Sequence, residues 1–176
     1  IALAPPSGEG FTRNYKVQQL PKAIYRKDYA LQNKHLPKAV YMQDLEDELF
    51  AMAARNKVTQ VRALIQAGVP VEMMNADAET VLFYATKHQA VDVVRLLIAK
   101  GANPNAADGN GVRPIHYAVY LGNPRLVQTL LSGGASPLEP DPNGVTPLQM
   151  AQQQQNAEIS SLLIGAAAGN QHASLN

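Results

Sequence analysis

Apolar residues along this chain recur in pairs of helical stripes, and the pair repeats every 33 residues. The first stripe of each pair mixes small and apolar residues, and the second is more hydrophobic, with apolar residues at i, i+3 and i+4. The second stripes comprise Val61, Leu64, Ile65; Val93, Val94, Leu96, Leu97, Ile98; Leu126, Val127, Leu130, Leu131; and Ile159, Leu162, Leu163, Ile164. The pattern predicts four helix pairs, each with one buried face.

Helix stop and start signals keep the same period. Gly68, Gly101 and Gly134 follow the second stripes, where a helix ends most easily in a residue with positive φ. Turn-rich stretches come next, and Thr80 and Thr146 then stand where a helix N-cap is wanted. A fixed period of this length predicts a stacked repeat array, which favours a binding surface over a catalytic pocket.

The clearest unit has the sequence Asp108-Gly-Asn-Gly111-Val-Arg-Pro114-Ile-His116-Tyr-Ala118. This unit resembles the ankyrin repeat, whose pattern is D-x-x-G-x-T-P-L-H-x-A. The resemblance covers about residues 42–168, in units at about 42–74, 75–107, 108–140 and 141–168. It implies an all-α solenoid of about four helix-turn-helix repeats with short finger loops. An extended basic arm, residues 1–41, precedes the array in this interpretation, and a flexible tail, residues 169–176, follows it.

The pattern fails at both ends of the array. The first finger loop, residues 69–78, lacks the Asp and Gly of the pattern and has Met73 and Met74 in place of polar residues. We therefore expect this loop not to form the usual hairpin. Gln60 in the first unit and the tract Gln152 to Gln155 in the fourth are polar where small or apolar residues are usual. Polar substitution of this kind is typical of capping repeats, which have a neighbour on one side only.

The arm contains a shorter repeat and has a net positive charge. Leu20-Pro-Lys-Ala-Ile-Tyr25 recurs as Leu36-Pro-Lys-Ala-Val-Tyr41, and seven Lys/Arg against two acidic residues give residues 1–41 a charge of +5. Residues 42–176 total −4, so the whole chain is near neutral and offers no argument for nucleic acid or an anionic membrane as partner. Two interpretations stay open. The second copy caps the first unit, or the arm docks on another protein through Leu20, Tyr25, Arg26, Leu36 and Tyr41.

Candidate chemistry is sparse. The chain has no Cys, which excludes thiolate catalysis and Cys-ligated metal, and none of its four His has a partner at metal-ligand spacing. The acidic run Asp44 to Glu48 is interpreted as negative charge at a helix start rather than as a cation site. For His116, the resemblance implies a structural hydrogen bond from the ring to the finger-loop backbone. We therefore expect no enzymatic activity, no cofactor and no metal.

Location is only weakly constrained. No apolar run approaches the roughly 18 residues that a membrane-spanning helix needs. The chain begins at Ile1 and not at Met, so we expect a segment upstream. The opening Ile-Ala-Leu-Ala is similar to the end of a signal peptide, although Pro5 is a poor residue after a cleavage site. The Gln and Asn content and the lack of Cys favour a bacterial protein, in the periplasm or envelope or exported, while the compartment itself stays open.

The resemblance implies a non-enzymatic protein–protein interaction module that binds through a concave face and finger loops. The positions that contact partners in the family correspond here to Tyr120, Leu121, Lys87, His88, Arg55, Asp77, Glu79, Asn110, Val112, Gln153 and Gln154. Tyr120 and Leu121 are the foremost candidates, because an aromatic beside an aliphatic makes an anchor; alternatively, Tyr120 only covers the neighbouring repeat. Two other hypotheses stay open. The chain is a structural subunit of a larger assembly, such as a bacterial envelope or secretion assembly, held mainly by the arm, or it is the interaction part of a longer effector or enzyme.

Overall fold

The structure, a computed structural model, describes residues 38–173 and, within them, the side chains of residues 45–169. Eight helices make up this part of the chain: α1 Lys38–Ala54, α2 Val58–Gln66, α3 Val81–Lys87, α4 Val91–Ala99, α5 Pro114–Tyr120, α6 Pro124–Ser132, α7 Pro147–Gln153 and α8 Ala157–Ala173. Extended pairing in residues 38–173 is confined to one isolated antiparallel bridge, between Met74 and Thr80. The predicted all-α class is therefore confirmed.

The start and stop signals act as the sequence predicts. The Thr80 hydroxyl accepts the backbone N–H of Phe83 at 3.1 Å, and Thr146 forms a capping box with Gln149. Prolines occupy the first position of α5 and α7, where a missing N–H costs nothing. The glycines that follow α2, α4 and α6 have φ of 93°, 91° and 92°, which ends each second helix in the left-handed region.

The helices stack in two layers. The first helices α1, α3, α5 and α7 each contact the next first helix, and the second helices α2, α4, α6 and α8 each contact the next second helix. Leu49, Leu82 and Ile115 of the first layer and Leu97 and Leu130 of the second are fully buried in one continuous core. Each helix pair thus buries its apolar face against its neighbours, which is the construction of a repeat solenoid.

Both ends of the array differ from the predicted boundaries. Helix α1 begins at Lys38, so residues 38–41 are helical rather than extended, and the acidic run 44–48 lies inside the helix instead of at its start. The stretch from 38 to 54 contains neither Gly nor Pro, and nothing in it stops a helix. Helix α8 continues to Ala173, past the predicted boundary at 168, because the alanines at 166–168 are strong helix formers. Ile164, predicted in a buried stripe, is 53% exposed, because within residues 38–173 no further repeat packs against the last helix.

The first finger loop forms the same hairpin as the other two, so the expectation of an irregular loop is wrong. The Asn75 side-chain oxygen accepts the backbone N–H groups of Asp77 and Glu79 at 3.0 and 2.9 Å. The carboxylates of Asp108 and Asp141 accept the N–H groups two and four residues further on in the same way. An amide oxygen replaces the carboxylate without loss of either bond, because both are acceptors.

The glycine of the hairpin pattern is replaced as well. Ala78 has φ of 56°, in the left-handed region that Gly111 and Gly144 occupy in the next two loops with φ of 81° and 79°. A residue with a Cβ in this region is strained, so the first loop keeps the hairpin at a cost that the other loops avoid.

Candidate functional site

A row of aromatic side chains runs across the first helices α1, α3 and α5. It comprises Phe50, Tyr84, His88, Tyr117 and Tyr120, and is called the aromatic row below. The ring centroids of Phe50 and Tyr84 are 5.3 Å apart, those of Tyr84 and His88 4.6 Å, and those of Tyr117 and Tyr120 5.7 Å. Tyr84 and Tyr117 lie 33 residues apart at the same repeat position, and both are half-buried. The row is therefore held in place by ring contacts while part of each ring stays accessible.

Tyr120 is the most exposed large apolar side chain among the described residues, at 66%. It ends α5, and its ring touches that of Tyr117 in the same helix. Gln154 Nε2 of the next unit donates to its backbone oxygen at 3.5 Å. Whether the ring contacts a partner or only covers the neighbouring repeat remains a prediction to be tested. Leu121, its predicted companion, is instead half-buried and packs against the core.

Glu79 is not available to a partner, and its prediction as a contact residue needs correction. The residue is only 4% exposed. Its carboxylate accepts a hydrogen bond from Lys87 Nζ at 2.8 Å and another from Asn75 Nδ2 at 2.8 Å. Burial of a carboxylate requires such partners, so Glu79 ties the first finger loop to α3. The hydrogen bond from Lys87 also raises the pKa of the lysine, whose side chain stays 39% exposed.

The remaining predicted contact residues are distributed over two edges of the array. Asp77 and Asn110 lie exposed at successive finger tips, and Val112 is half-buried beneath the second tip. Arg55, His88, Gln153 and Gln154 are exposed at or next to the ends of first helices. The structure therefore places this second group along the same layer as the aromatic row, and the finger-tip group at the opposite ends of those helices.

Adjacent finger loops are bonded to one another. The backbone N–H of Gly109 donates to the Asp77 carbonyl at 3.3 Å. A Cβ on Gly109 would lie 2.9 Å from that oxygen, so this position requires glycine. Asn105 bridges the next pair of loops, since its amide donates to the Gly134 carbonyl and its oxygen accepts the Ser136 N–H. The tips are thus presented at fixed spacing rather than as independent loops.

His116 makes the structural hydrogen bond that the resemblance implies. Its Nε2 donates to the Glu139 carbonyl of the following finger loop at 3.0 Å, and the residue is 1% exposed. Burial lowers the pKa of the ring below its ordinary value. Arg113 reinforces the same connection through the Glu139 carboxylate at 3.3 Å and the Pro140 carbonyl at 3.1 Å. Backbone N–H groups, that of Val145 first, lower the pKa of Asp141 in the same loop.

Charge is segregated between the finger loops and the second-helix layer. The loops 69–80, 102–113 and 135–146 contain six acidic residues and one basic residue, Arg113. The segments of the second layer, 57–68, 90–101, 123–134 and 156–169, contain five basic and two acidic residues. Exposed apolar side chains accompany the acidic groups, since Met74 is 56% and Leu138 48% exposed. We call the exposed residues Glu72, Met74, Asp77, Leu138 and Glu139 the finger edge.

Sequence reasoning missed three members of the aromatic row: Phe50, Tyr84 and Tyr117. Their signal was present, because Tyr84 and Tyr117 are separated by one repeat and Tyr117 lies three residues before Tyr120. Of the predicted arm residues, Leu20, Tyr25, Arg26 and Leu36 lie outside the described residues. Tyr41 belongs to α1, but its side chain is also outside the described part, so the docking prediction remains a prediction.

Two further observations concern residues 38–173. No group of three or more His, Asp or Glu side chains in this part is placed to hold a metal ion. None of its helices has both the length and the apolar character needed to cross a membrane.

Comparison with known protein families identifies part of the repeat array. Residues 49–141, just over half of the 176, match the family described as Ankyrin repeats (3 copies). No curated protein matches the sequence.

Proposed function

Because the chain belongs to the ankyrin-repeat family, we propose that it binds a protein partner through the aromatic row and the exposed ends of the first helices. Ankyrin repeats are generally protein–protein interaction modules. Stacked repeats suit this task because each unit adds area to one extended surface. The finer assignment, to these particular residues, rests on the geometry of the row.

The observation that supports the proposal best is the exposure of Tyr120 beside Tyr117. Tyr is among the residues that most often supply the energetic centre of an interface. A ring already held by a neighbouring ring loses little conformational freedom on binding. Tyr84 and His88 extend the same layer by one repeat, so a partner that lies across α3 and α5 would meet several aromatic faces at once.

The test uses the full chain as bait and then a purified partner. Once a partner has been captured and identified, its affinity is measured for the wild type and for Tyr120→Ala. We expect the substitution to weaken binding by about ten- to a hundredfold, the range for an aromatic hot spot. Ile164→Ala is the matched control, because Ile164 is similarly exposed, at 53%, but lies in α8 of the second layer. Equal affinities of Tyr120→Ala and the wild type, with unchanged circular dichroism, would contradict the proposal.

A second variant separates this proposal from the structural-subunit hypothesis. Deletion of residues 1–30 leaves the aromatic row untouched. If the row is the binding surface, the deleted chain keeps its affinity for the partner. Loss of binding on deletion, together with normal binding by Tyr120→Ala, would instead favour attachment through the arm.

A further inference from the structure

We propose that the finger edge is the docking site for the chain's own N-terminal arm, residues 13–34. The occupant is a segment of the same molecule, so the inference needs no external partner and goes beyond the binding function above. Three observations support it: the apolar side chains left exposed on the finger loops, the complementary charge of the arm, and the place where the arm joins the repeats.

The finger edge exposes apolar surface that the described residues leave uncovered. Four large apolar side chains are exposed among the described residues, and two of them, Met74 and Leu138, lie on finger loops. Each loop is fixed to its neighbour by the hydrogen bonds described above, so these side chains are held outward in a rigid frame. Met74 and Leu138 are therefore fixed positions on two different loops at which a docked segment can bury apolar side chains.

The charge of the finger loops is complementary to that of the N-terminal arm. Without Glu79, which is buried and paired with Lys87, the three loops contain five acidic residues against one basic. Glu72, Asp77 and Glu139 are exposed, and Glu139 pairs with Arg113. Residues 13–34 contain six Lys/Arg against one acidic residue, together with three tyrosines. The arm therefore offers positive charge that complements the acidic groups, and large apolar side chains that can pack against Met74 and Leu138. At physiological salt such attraction acts over about 8 Å, so it requires close approach.

The arm joins the repeats at the edge where the finger loops lie. Helix α3 starts at Val81, and the equivalent position one repeat earlier is Glu48, whereas α1 starts at Lys38. The ten additional residues form about 15 Å of helix and occupy the sequence register that a finger loop occupies in the other units. Neighbouring helices are spaced by about 8–10 Å, so the two intervals between the three loops span roughly 16–20 Å. About six extended residues cover that distance, and residues 13–34 are more than enough.

Limited trypsin digestion of the full chain tests the proposal, since the arm supplies cleavage sites at Arg26 and Lys27. Mass spectrometry follows cleavage at these two sites.

We expect the double variant Asp77→Asn, Glu139→Gln to raise the cleavage rate three- to tenfold. It removes two negative charges from the finger edge and leaves Arg113 unpaired, so that Arg113 repels the arm. The matched control is Asp92→Asn with Glu158→Gln, which removes one Asp and one Glu charge from the second layer and should leave the rate unchanged. Addition of about 0.5 M salt should raise the cleavage rate of the wild type to that of the Asp77→Asn, Glu139→Gln variant, because salt screens the attraction.

The apolar part of the surface has its own matched pair. Met74→Gln should raise cleavage of the arm, and Ile164→Gln, at a similarly exposed site on α8, should not. Circular dichroism confirms that each variant is folded. Equal cleavage rates in the wild type and both finger-edge variants would overturn the proposal. Protection that grows with protein concentration would overturn it too, because it would place the arm of a second copy on this edge.

Discussion

At the scale of single residues, one turn position recurs in all four units with a demanding backbone conformation. Asn56, Gln89, Gly122 and Gln155, spaced by 33 residues, connect first and second helices with φ of 54°, 57°, 65° and 56°. Asn56 offsets the strain of a Cβ there, because its side-chain oxygen accepts the backbone N–H of Val93 in the next unit at 3.1 Å. The glutamines have no such bond to a neighbouring backbone group in the described part.

We expect Gln155→Gly to stabilise the protein by about 0.5–1 kcal/mol, because glycine relieves the left-handed strain at some cost in chain entropy. Urea unfolding measures the effect. Gln152→Gly is the control: it lies inside α7, where glycine should lower the free energy of unfolding by about 1 kcal/mol. A loss of stability in both variants would contradict the assignment of strain to position 155.

His116 makes stability depend on pH. Its Nε2 donates to the Glu139 carbonyl, while Nδ1 is buried and has no hydrogen-bond partner among the described residues. A second ring proton would therefore place a positive charge in a buried site, where desolvation disfavours it. Because burial lowers the folded-state pKa below the ordinary 6.5, the stability due to neutral His116 is complete above pH 6.5 and is lost as the pH falls through the folded-state pKa.

We therefore expect the free energy of unfolding to fall between pH 7.5 and 5.5, and the fall to be smaller in His116→Gln. The variant itself should lose about 1–3 kcal/mol at pH 7.5 through a poorer buried hydrogen bond. Asp141, which lies in the same loop, has its pKa lowered from 3.8 and stays ionised throughout this window. Urea titrations at both pH values decide the matter; parallel losses in wild type and variant would exclude His116 as the cause.

At the scale of elements, the finger hairpin depends on one acceptor per loop. Asn75, Asp108 and Asp141 each receive two backbone N–H groups, and without them those donors would lack partners at the base of the loop. These side chains therefore stabilise each hairpin from within. The loop tips that they hold in place are the part that a partner at this edge would contact.

Asn75→Ala should cost about 1–2 kcal/mol, because it removes both bonds and also one partner of the buried Glu79 carboxylate. Asn75→Asp should also lower the free energy of unfolding. Its carboxylate can still accept both N–H groups, but it brings a second negative charge next to Glu79. Asn110→Ala, at an exposed tip, is the control and should change stability by less than about 0.5 kcal/mol. Guanidinium unfolding of the three variants ranks them; equal stability of Asn75→Ala and Asn110→Ala would refute the role of Asn75.

The first hairpin also shows what sequence could and could not predict. The helices followed from the 33-residue period, because apolar spacing, caps and stop glycines repeat in register. The loop did not, because Asn75 and Ala78 differ in identity from the pattern while meeting its requirements for an acceptor and a positive φ. The burial of Glu79 and the contacts of the aromatic row depend on which side chains meet across the fold, and no single segment specifies that.

At the scale of the whole molecule, cohesion depends on how closely the repeats approach one another. Helices α4 and α6 approach each other closely at Gly133, the residue after α6, where an added Cβ would lie 2.6 Å from Ile98 Cδ1 and 2.8 Å from its Cγ2. The same register position is Ala67 in the first unit and Lys100 in the second. Glycine is therefore required at this interface by the neighbour and not by the backbone, since Gly133 has an ordinary φ of −86°.

Gly133→Ala should accordingly weaken the contact between the second and third units, at a cost of about 1–3 kcal/mol. Ile98 is β-branched and stiff at χ1, so Cγ2 cannot swing aside without strain. Since a repeat array is stable only through its interfaces, unfolding in urea should also become less steep as the two halves separate.

Two controls accompany this prediction. In the Ile98→Ala background the same glycine substitution should change the free energy of unfolding little, because the obstructing atoms are gone. Gly165→Ala, in open space on α8, should instead stabilise the chain by about 1 kcal/mol. An equal cost of Gly133→Ala with and without Ile98 would mean that the steric contact does not govern the coupling between repeats.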